Sequence, residues 1–549
     1  MKKFLKWTAI VIGSILLLII IAVAVVLIRH DRYGLYSSGG VLSENQAKYD
    51  IVFYDLNLEV IASEQAIAGY TIIKLKSLAD SLDQIELNLI NNFDVSSISD
   101  NHATSLDFEH DDDKLWIQLK APLNQHDMID LKIDYQGQPV EALIPPWIGG
   151  FNWSKDSSGA DWIGLSCQGE GAKIWFPCKD HPSDEPDSVA INITIPEPYY
   201  CASNGVLRAI TKPGEGFQTY HWITHYPINN YNINISIGKY EILERAYRTE
   251  DNSIMPVMYY VLPQAREGAD ELIDMAVDML VTYRKYYGEY PFTREKFAIV
   301  HTDYLGMEHQ TINAYGNKYR YQTVNGQEYD WVMLHEMGHE WWGNKVTAND
   351  WADFWIHEGI CTYGEALYQL EKGGEEAYHN YMKKIKRRIR NKKPIIPQKN
   401  ATEHEAYSSD IYSKGAYVMH SLRYLLGDST FFKTLKQFAT DSAYTYQNRV
   451  STDDFIELVN RNSNKDYSEF FHLYLNTTEL PAIKIDSLAA DGFEISIPNI
   501  DFDLPVDVTL DNDTLRMMLG KTPIEVKSTA KPKVDQKDWF LKTLAKNEA

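Results

Sequence analysis

Hydrophobic and polar residues alternate with a period of two through much of the first half of the chain. The clearest alternating runs are residues 55–60, 85–89, 191–195 and 233–237. Successive side chains of a strand point to opposite faces of the sheet, so this pattern predicts half-buried antiparallel strands. We therefore expect a large antiparallel β domain over residues 49–245.

After residue 246 the hydrophobic period becomes helical. Apolar positions three and four residues apart predict helices over residues 270–287, 329–342, 352–372 and 413–426. Alternation returns after Pro481. The expected fold class is multidomain α+β, with the β domain followed by a mainly helical domain over 246–480 and a small β module with a tail over 481–549.

The N-terminus carries a long apolar segment, residues 8–28, without a charged side chain. At about 1.5 Å per residue these 21 residues span roughly 31 Å, the thickness of a bilayer core. A cleaved signal peptide is the alternative, but its apolar region is shorter, about 7–15 residues. We expect an uncleaved transmembrane signal anchor within 1–33, a linker over 34–48, and the domains that follow on the extracytoplasmic side of the cell membrane.

Composition narrows the class of protein. With 44% hydrophobic and 12% aromatic residues, the 549-residue chain is not largely disordered, and its net charge of −23 argues against nucleic-acid binding. Four cysteines exclude a disulfide scaffold, although Cys167 and Cys178 could pair outside the cytoplasm. Residues 383–393 hold eight basic side chains; a solvated helix face is the default interpretation, and contact with anionic lipid or an acidic partner is the alternative.

The segment that indicates chemistry is HEMGH at residues 335–339. His335 and His339 are one helical turn apart, so both imidazoles can bind one ion. Zinc takes about four ligands and a hydrolytic site leaves one position for water, so a third protein ligand is needed. Glu358 is available after 18 intervening residues, and Glu336 is placed to accept a proton from the attacking water. Glu365, two turns beyond Glu358, is the alternative ligand, to which we assign a supporting role.

Longer stretches around this motif resemble the zinc gluzincin aminopeptidases, the relatives of aminopeptidase N and of the leukotriene A hydrolases. Residues 335–347 (HEMGHEWWGNKVT) and 351–363 (WADFWIHEGICTY) follow the family pattern H-E-x-x-H-x-W-x-G-N-x-V-T and W-x-x-x-W-x-x-E-G. The resemblance covers most of residues 45–480. It implies a thermolysin-like catalytic domain with one zinc per chain, held by His335, His339 and Glu358.

Residues 305–309 (LGMEH) resemble the exopeptidase motif G-x-M-E-N of this family. The family's glutamate binds the free α-amino group of the substrate, which implies that role for Glu308 and places Gly306 and Met307 in the substrate site. The chain departs from the pattern at Leu305 and at His309, where the family usually has Gly and Asn.

Two further segments resemble the family. Residues 406–415 (AYSSDIYSKG) are similar to the stretch that holds the catalytic tyrosine, which implies that the phenol of Tyr412 donates to the oxyanion. Residues 168–180 are similar to the β-domain segment that reaches into the active site, which implies that Gln168 helps to bind the amino terminus.

The resulting expectation is a membrane-tethered zinc aminopeptidase acting on peptides with a free N-terminus. An epoxide hydrolase of the leukotriene A type and a non-catalytic peptide-binding ectodomain are the alternatives, although no predicted ligand or base is missing. Many relatives continue into a large helical C-terminal domain, whereas this chain ends at Ala549. We therefore expect a cleft that is open to solvent, or closed by a partner or by a second copy in a homo-oligomer.

Overall fold

The structure, a computed structural model, describes residues 34–488 and 492–545. Along these residues a β-rich region, a mixed region with the helices, and a small C-terminal β region follow one another. This order confirms the predicted multidomain α+β class. The predicted membrane segment, residues 8–28, lies outside the described residues, and no helix within them is both long and apolar enough to cross a bilayer.

A seven-stranded sheet forms the centre of the β-rich region. Its strands, in spatial order, are Val206–Thr211, Phe217–Ile223, Ser188–Pro196, Tyr49–Ile61, Ala66–Ser77, Met128–Gly137 and Phe93–Asp100. Within Tyr49–Ile61 the side chains of Leu56, Leu58 and Val60 are buried while their neighbours are more exposed. The alternation in the sequence therefore reflects one sheet face that packs against the core.

The sheet is not entirely antiparallel, so the prediction of an antiparallel β domain is wrong in this respect. Strand Tyr49–Ile61 pairs in parallel with Ser188–Pro196, with Leu56 opposite Ile191. Parallel strands need a long connection between them, and here residues 62–187 provide it. Alternation could not reveal the difference, because parallel and antiparallel strands share the period of two.

Two smaller sheets complete the β-rich region. The first contains Leu82–Asn88, Lys114–Leu123 and Asp107–Asp111. The second contains Tyr200–Ser203, Ile235–Gly238, Asp161–Ser166 and Gly150–Lys155. All four cysteines of the chain are buried and free, so the disulfide considered between Cys167 and Cys178 is not formed.

A mixed five-stranded sheet begins the second region. Its strands, in spatial order, are Glu241–Arg248, Ile254–Val261, Phe297–His301, Asn313–Tyr315 and Gly306–Met307. The first of these crosses residue 245, the predicted domain boundary, and pairs along its length with the second. The last lies at the edge of the sheet, and a hairpin of Gln322–Val324 and Gln327–Tyr329 follows.

Helices make up most of the remaining region. They are α1 Ala269–Tyr287, α2 Trp331–Gly338, α3 Trp355–Lys386, α4 Glu403–Ala406, α5 Ser409–Leu426, α6 Asp428–Thr440, α7 Thr452–Ser463 and α8 Ser468–Phe471. The helix α2 is shorter than predicted because the chain turns after Gly338. The helix α3 extends beyond its predicted end at residue 372, but Gly374 (φ 70°, ψ −170°) interrupts its helical backbone two residues after that end.

A small β module follows α8. One of its sheets contains Ile524–Lys527, Gly492–Ser496, Ala482–Ser487 and Thr543–Leu544, and the other contains Asp513–Leu519, Leu504–Leu510 and Lys533–Val534. The module packs on the helical region, because Tyr417 and His420 of α5 both hydrogen-bond the carbonyl of Asp538.

The helices α3 and α5 approach each other at a pair of glycines. A Cβ atom built on Gly359 would lie 2.9 Å from the Cα of Gly415 and 2.9 Å from the carbonyl oxygen of Ile411. The close approach of the two backbones therefore requires glycine here. Because Gly359 follows Glu358 and Gly415 lies one turn after Tyr412, this contact sets the distance between those two side chains.

We predict that Gly359→Ala lowers the free energy of unfolding by about 1–3 kcal/mol, because the added methyl group must push the two helices apart. Chemical denaturation of the full chain measures this loss. Gly214→Ala is the matched control, since no atom lies within 4 Å of a Cβ built there. Equal stability of the two variants would contradict the close contact.

Candidate active site

The helix α2 carries both predicted histidine ligands, and Asp330 fixes its start. The Asp330 carboxylate accepts hydrogen bonds from the backbone N–H groups of Val332 and Met333, both at 3.0 Å. Such an N-cap satisfies donors that the first helical turn leaves unpaired. Although α2 ends at Gly338, His339 keeps helical backbone angles (φ −66°, ψ −20°), so it stays one turn from His335.

Aromatic packing fixes the other end of α2. The buried ring of Trp341 lies 5.8–5.9 Å, between centroids, from the rings of Tyr283, Tyr287 and Tyr290. The hydroxyl of Tyr283 also donates to the carbonyl of Leu334 at 2.8 Å. These contacts tie α2 to α1 and so hold the two histidines in one orientation.

Three potential ligand atoms converge between α2 and α3. The Nε2 atoms of His335 and His339 lie 3.3 Å apart, and each lies 3.3 Å from Oε2 of Glu358. The neighbouring histidines hold the pKa of Glu358 well below its usual value, although its burial acts in the opposite direction. The carboxyl group is therefore ionised and faces both rings.

Hydrogen bonds at the far side of each ring decide which nitrogen carries the proton. Nδ1 of His335 lies 2.9 Å from Oε1 of Glu365, and Nδ1 of His339 lies 2.9 Å from the carbonyl oxygen of Trp342. Both of those oxygens are acceptors, so both Nδ1 atoms are the donors. The Nε2 atom of each ring consequently faces the other ring and Glu358. Burial lowers the pKa of both histidines, but nearby acidic groups raise it further, so a metal ion that binds here displaces a proton from Nε2.

This donor set fits a zinc ion. Three ligand atoms held 3.3 Å apart in a buried place need protons or a metal cation between them to offset their repulsion. In a tetrahedral zinc site with bonds of about 2.0–2.1 Å, neighbouring ligand atoms are about 3.3–3.4 Å apart. Two imidazoles and one carboxylate at this spacing match that geometry and leave the fourth corner open.

Tyr412, the predicted oxyanion donor, lies beside the cluster on α5. Its hydroxyl donates to Oε1 of Glu358 at 2.9 Å, and its ring stacks against that of His335 with centroids 5.9 Å apart. Burial raises the pKa of Tyr412 well above its usual value, so the phenol stays protonated and can donate.

Glu336, the predicted base, packs against Gly306. A Cβ atom on Gly306 would lie 2.3 Å from Oε1 of Glu336 and 2.7 Å from Cγ1 of Val332. Burial is the largest cause that raises the pKa of Glu336 to about 8. A divalent cation beside it would favour the ionised carboxylate and so lower that pKa. Gly306 thus makes the space in which the base sits.

Glu308 is a buried carboxylate at the end of the edge strand Gly306–Met307. Its Oε1 accepts hydrogen bonds from Nε2 of Gln168 at 2.5 Å and from the hydroxyl of Tyr231 at 3.0 Å. Ligand atoms of Glu308, Glu336 and His339 lie within 4.8 Å of one another. The predicted amine anchor therefore lies next to both the base and the metal ligands.

All the predicted site residues line one cavity of about 820 Å³. They are Gln168, Gly306, Met307, Glu308, His335, Glu336, His339, Glu358, Glu365 and Tyr412. This volume lies in the range of pockets that enclose a small ligand or a short peptide. Of the two departures from the family motif, Leu305 lines the cavity, whereas His309 is fully buried, contacts Asn234 and has its pKa lowered to about 3 by burial.

Sequence reasoning missed several residues of the cavity. Tyr231 bonds Glu308, but one among 36 tyrosines carries no sequence signal. Arg387, Arg388 and Arg390 also line the cavity, so part of the basic run faces the site rather than bulk solvent alone. The charge run itself was visible in the sequence, but the surface it faces was not.

Two family models match this chain. The model described as Peptidase family M1 domain matches residues 272–474, and the model described as Peptidase M1 N-terminal domain matches residues 51–231. The first match contains the ligands, the base and Tyr412, and the second contains Gln168.

Curated relatives are distant in sequence. Aminopeptidase N of Haemophilus influenzae is 24% identical over 408 residues, which are 70% of this chain and 44% of the relative. Aminopeptidase N of Lactococcus lactis subsp. lactis is 23% identical over 471 residues, 79% of this chain and 52% of the relative. The chain thus spans about half the length of these two relatives.

Solved structures show the same fold. The M1 zinc metallopeptidase from Deinococcus radiodurans aligns with a TM-score of 0.66 at 22% identity, covering 79% of this chain and 96% of that chain. A mutant of a two-domain M1 zinc metallopeptidase bound to L-tryptophan aligns with a TM-score of 0.67 at 23% identity, covering 82% of this chain and 98% of that chain. The arrangement of β domain, helical domain and β module is therefore a known one.

We predict that Glu365→Ala weakens zinc binding about 10–100-fold, because His335 loses the acceptor that fixes its proton on Nδ1. Competition with a chelator of known affinity measures the change. Glu376→Ala, at an exposed position of the same helix, is the matched control. Unchanged zinc affinity in Glu365→Ala would contradict the orienting contact.

Proposed function

Because the chain belongs to peptidase family M1, we propose that it is a zinc-dependent aminopeptidase that removes the N-terminal residue from peptides. The observation that carries this proposal is the position of Glu308. Its carboxylate lies within 4.8 Å of Glu336 and His339, next to the three ligand atoms. An anion this close to the reacting centre can hold only a group about one residue from the cleaved bond.

Glu308 would bind the α-ammonium group of the substrate. Gln168 and Tyr231 each donate a hydrogen bond to the same oxygen, Oε1, which keeps the carboxylate in one orientation. The other oxygen is then available for the substrate ammonium in a charge-assisted hydrogen bond. An N-acetylated peptide has no such charge and would leave the buried carboxylate without its partner.

His335, His339 and Glu358 would hold the zinc. When bound, the ion polarises the scissile carbonyl and makes water a stronger nucleophile at neutral pH. Glu336 would accept the proton of the attacking water on its carboxylate and then donate it to the leaving amine. The Tyr412 hydroxyl would turn from Glu358 to the developing oxyanion and stabilise it by donating a hydrogen bond.

We also propose that residues 8–28 tether the enzyme to the cell membrane, with the catalytic region outside the cytoplasm. The support is the length of this uncharged segment and the three lysines, Lys2, Lys3 and Lys6, that precede it. When membranes are extracted with alkaline carbonate and sedimented, the full chain should remain in the membrane pellet. Its release into the supernatant would contradict the anchor.

The test of the function compares aminoacyl-p-nitroanilides with free and with N-acetylated amines. We expect the free substrate to be hydrolysed at least about 100-fold faster in kcat/KM, because only it pairs with Glu308. Glu308→Gln keeps the shape of the side chain but removes its charge. In this variant kcat/KM for the substrate with a free amine should fall about 10–150-fold, which corresponds to the free energy of one hydrogen bond to a charged group.

Glu336→Gln is the control for this comparison. It should reduce the turnover of any substrate by about 10²–10⁴-fold, because the base serves the reaction rather than amine binding. Equal hydrolysis of free and acetylated substrates by the wild type would contradict the amine anchor. A Glu336→Gln variant with more than about a tenth of the wild-type rate would contradict the assigned base.

A further inference from the structure

We infer that Arg387, Arg388 and Arg390 bind a carboxylate of the peptide substrate, at the side of the cavity opposite Glu308. This inference rests on the proposed aminopeptidase function and adds the class of substrate, short peptides with a free C-terminus. An acidic side chain in the second or third residue would offer the same chemical group.

The first observation is the position of these arginines. All three line the cavity that also contains the metal ligands, Glu336 and Glu308. They follow α3, at the point where the chain leaves the helix, and their side chains are exposed. The part of the basic run that faces the cavity is therefore separate from Lys383 and Lys384, which are exposed but do not line it.

The backbone that carries the arginines is held in place. The Asp410 carboxylate accepts hydrogen bonds from the backbone N–H groups of Arg390 at 2.8 Å and Asn391 at 2.6 Å. Lys393 donates to the carbonyl oxygens of Glu405 and Tyr407 at 3.1 and 3.3 Å. These bonds tie the segment to α4 and α5, so the arginines keep a defined position relative to Tyr412.

The second observation is the lack of a protein partner. Within the described part of the chain, none of the three guanidinium groups has a hydrogen bond or an ion pair. By contrast, Arg423 pairs with Glu375 and Asp428, at 2.6 and 2.7 Å. Lys386, at the end of α3, pairs with Asp538 at 2.8 Å. The arginines beside the cavity thus keep their full capacity to bind an anion.

The charges of the cavity are arranged asymmetrically. Arg388 lies close enough to Tyr329 and Tyr381 for its charge to act on both phenols. Tyr381 donates to Glu365, which in turn contacts His335. Arg388 is therefore on the His335 side of the metal ligands.

Glu308 is on the other side, where it is within 4.8 Å of His339 and bonds Gln168. The metal ligands thus lie between Glu308, an anion that suits an ammonium, and Arg388, a cation that suits a carboxylate. A short peptide with uncharged side chains has one charge of each sign, an ammonium at one end and a carboxylate at the other.

The length of a short peptide sets the span that the two charged groups would have to bridge. An extended chain advances at most about 3.3–3.6 Å per residue, so the ends of a di- or tripeptide are roughly 7–11 Å apart. With the ammonium at Glu308 and the first carbonyl at the metal ligands, the carboxylate would continue past His335. Arginine suits this end because its planar fork binds a carboxylate with two hydrogen bonds.

The experiment compares three substrates: Ala-Ala-Ala, its C-terminal amide, and the amide of Ala-Ala-Asp. The readout is kcat/KM of each carboxylate substrate divided by that of the Ala-Ala-Ala amide. We expect the wild type to favour at least one carboxylate substrate by about tenfold, mostly through KM, because a charged hydrogen bond contributes that much. This preference should fall as salt is raised, since exposed charges are screened.

The test variant is Arg387→Gln combined with Arg388→Gln and Arg390→Gln. The matched control replaces Lys383, Lys384 and Lys392 by Gln, which removes the same charge from exposed positions outside the cavity lining. The carboxylate preference should fall to about one in the arginine variant and persist in the lysine variant. Hydrolysis of the amide by the arginine variant shows that this variant is folded.

The possible outcomes distinguish a failure of the arginine inference from a failure of the proposed aminopeptidase function. Loss of preference for Ala-Ala-Ala identifies the C-terminal carboxylate as the ligand, and loss of preference for the Ala-Ala-Asp amide identifies the acidic side chain. A wild type that hydrolyses all three substrates equally, or an arginine variant that keeps the preference, would overturn the inference and leave the aminopeptidase function intact. A wild type that hydrolyses none of them would contradict the function itself.

Discussion

The convergence of three buried ligand atoms is the constraint on which the site depends. His335, His339 and Glu358 come from two helices and present their ligand atoms at 3.3 Å separations. Such an arrangement is unfavourable unless protons or a metal cation lie between the three atoms, so other contacts must hold it in place. The Asp330 cap, the packing of Trp341 and the bonds to Glu365 and the Trp342 carbonyl perform this task.

Close approaches at glycine residues position several side chains of the site. The Gly359–Gly415 contact lets α3 and α5 approach so closely that Tyr412 bonds the Glu358 carboxylate. Gly306 has the same function for Glu336, because any larger residue would occupy the place of the carboxylate. The most constrained positions are therefore glycines, which take no part in the chemistry.

A residue of the site can be predicted from the sequence when the interaction that positions it is local, and is harder to predict when that interaction is a tertiary contact. The His335–His339 pair is a local feature of one helix, so spacing alone predicts it. Glu358, Glu308 and Tyr412 depend on tertiary contacts, and the family resemblance was needed to single them out. Nothing in the sequence marks Tyr231, the parallel pairing of Tyr49–Ile61, or the surface that Arg388 faces, because each depends on what lies opposite in the folded chain.

The four free cysteines have a consequence for where this fold can exist. Burial raises the pKa of the Cys167, Cys178, Cys201 and Cys361 thiols, so they remain protonated and shielded from reagents. No covalent cross-link contributes to the stability of the fold, and none needs to be made or broken as the protein matures. The same native structure is accordingly compatible with reducing and oxidising surroundings, and alkylation of these thiols would report the moment at which the core opens.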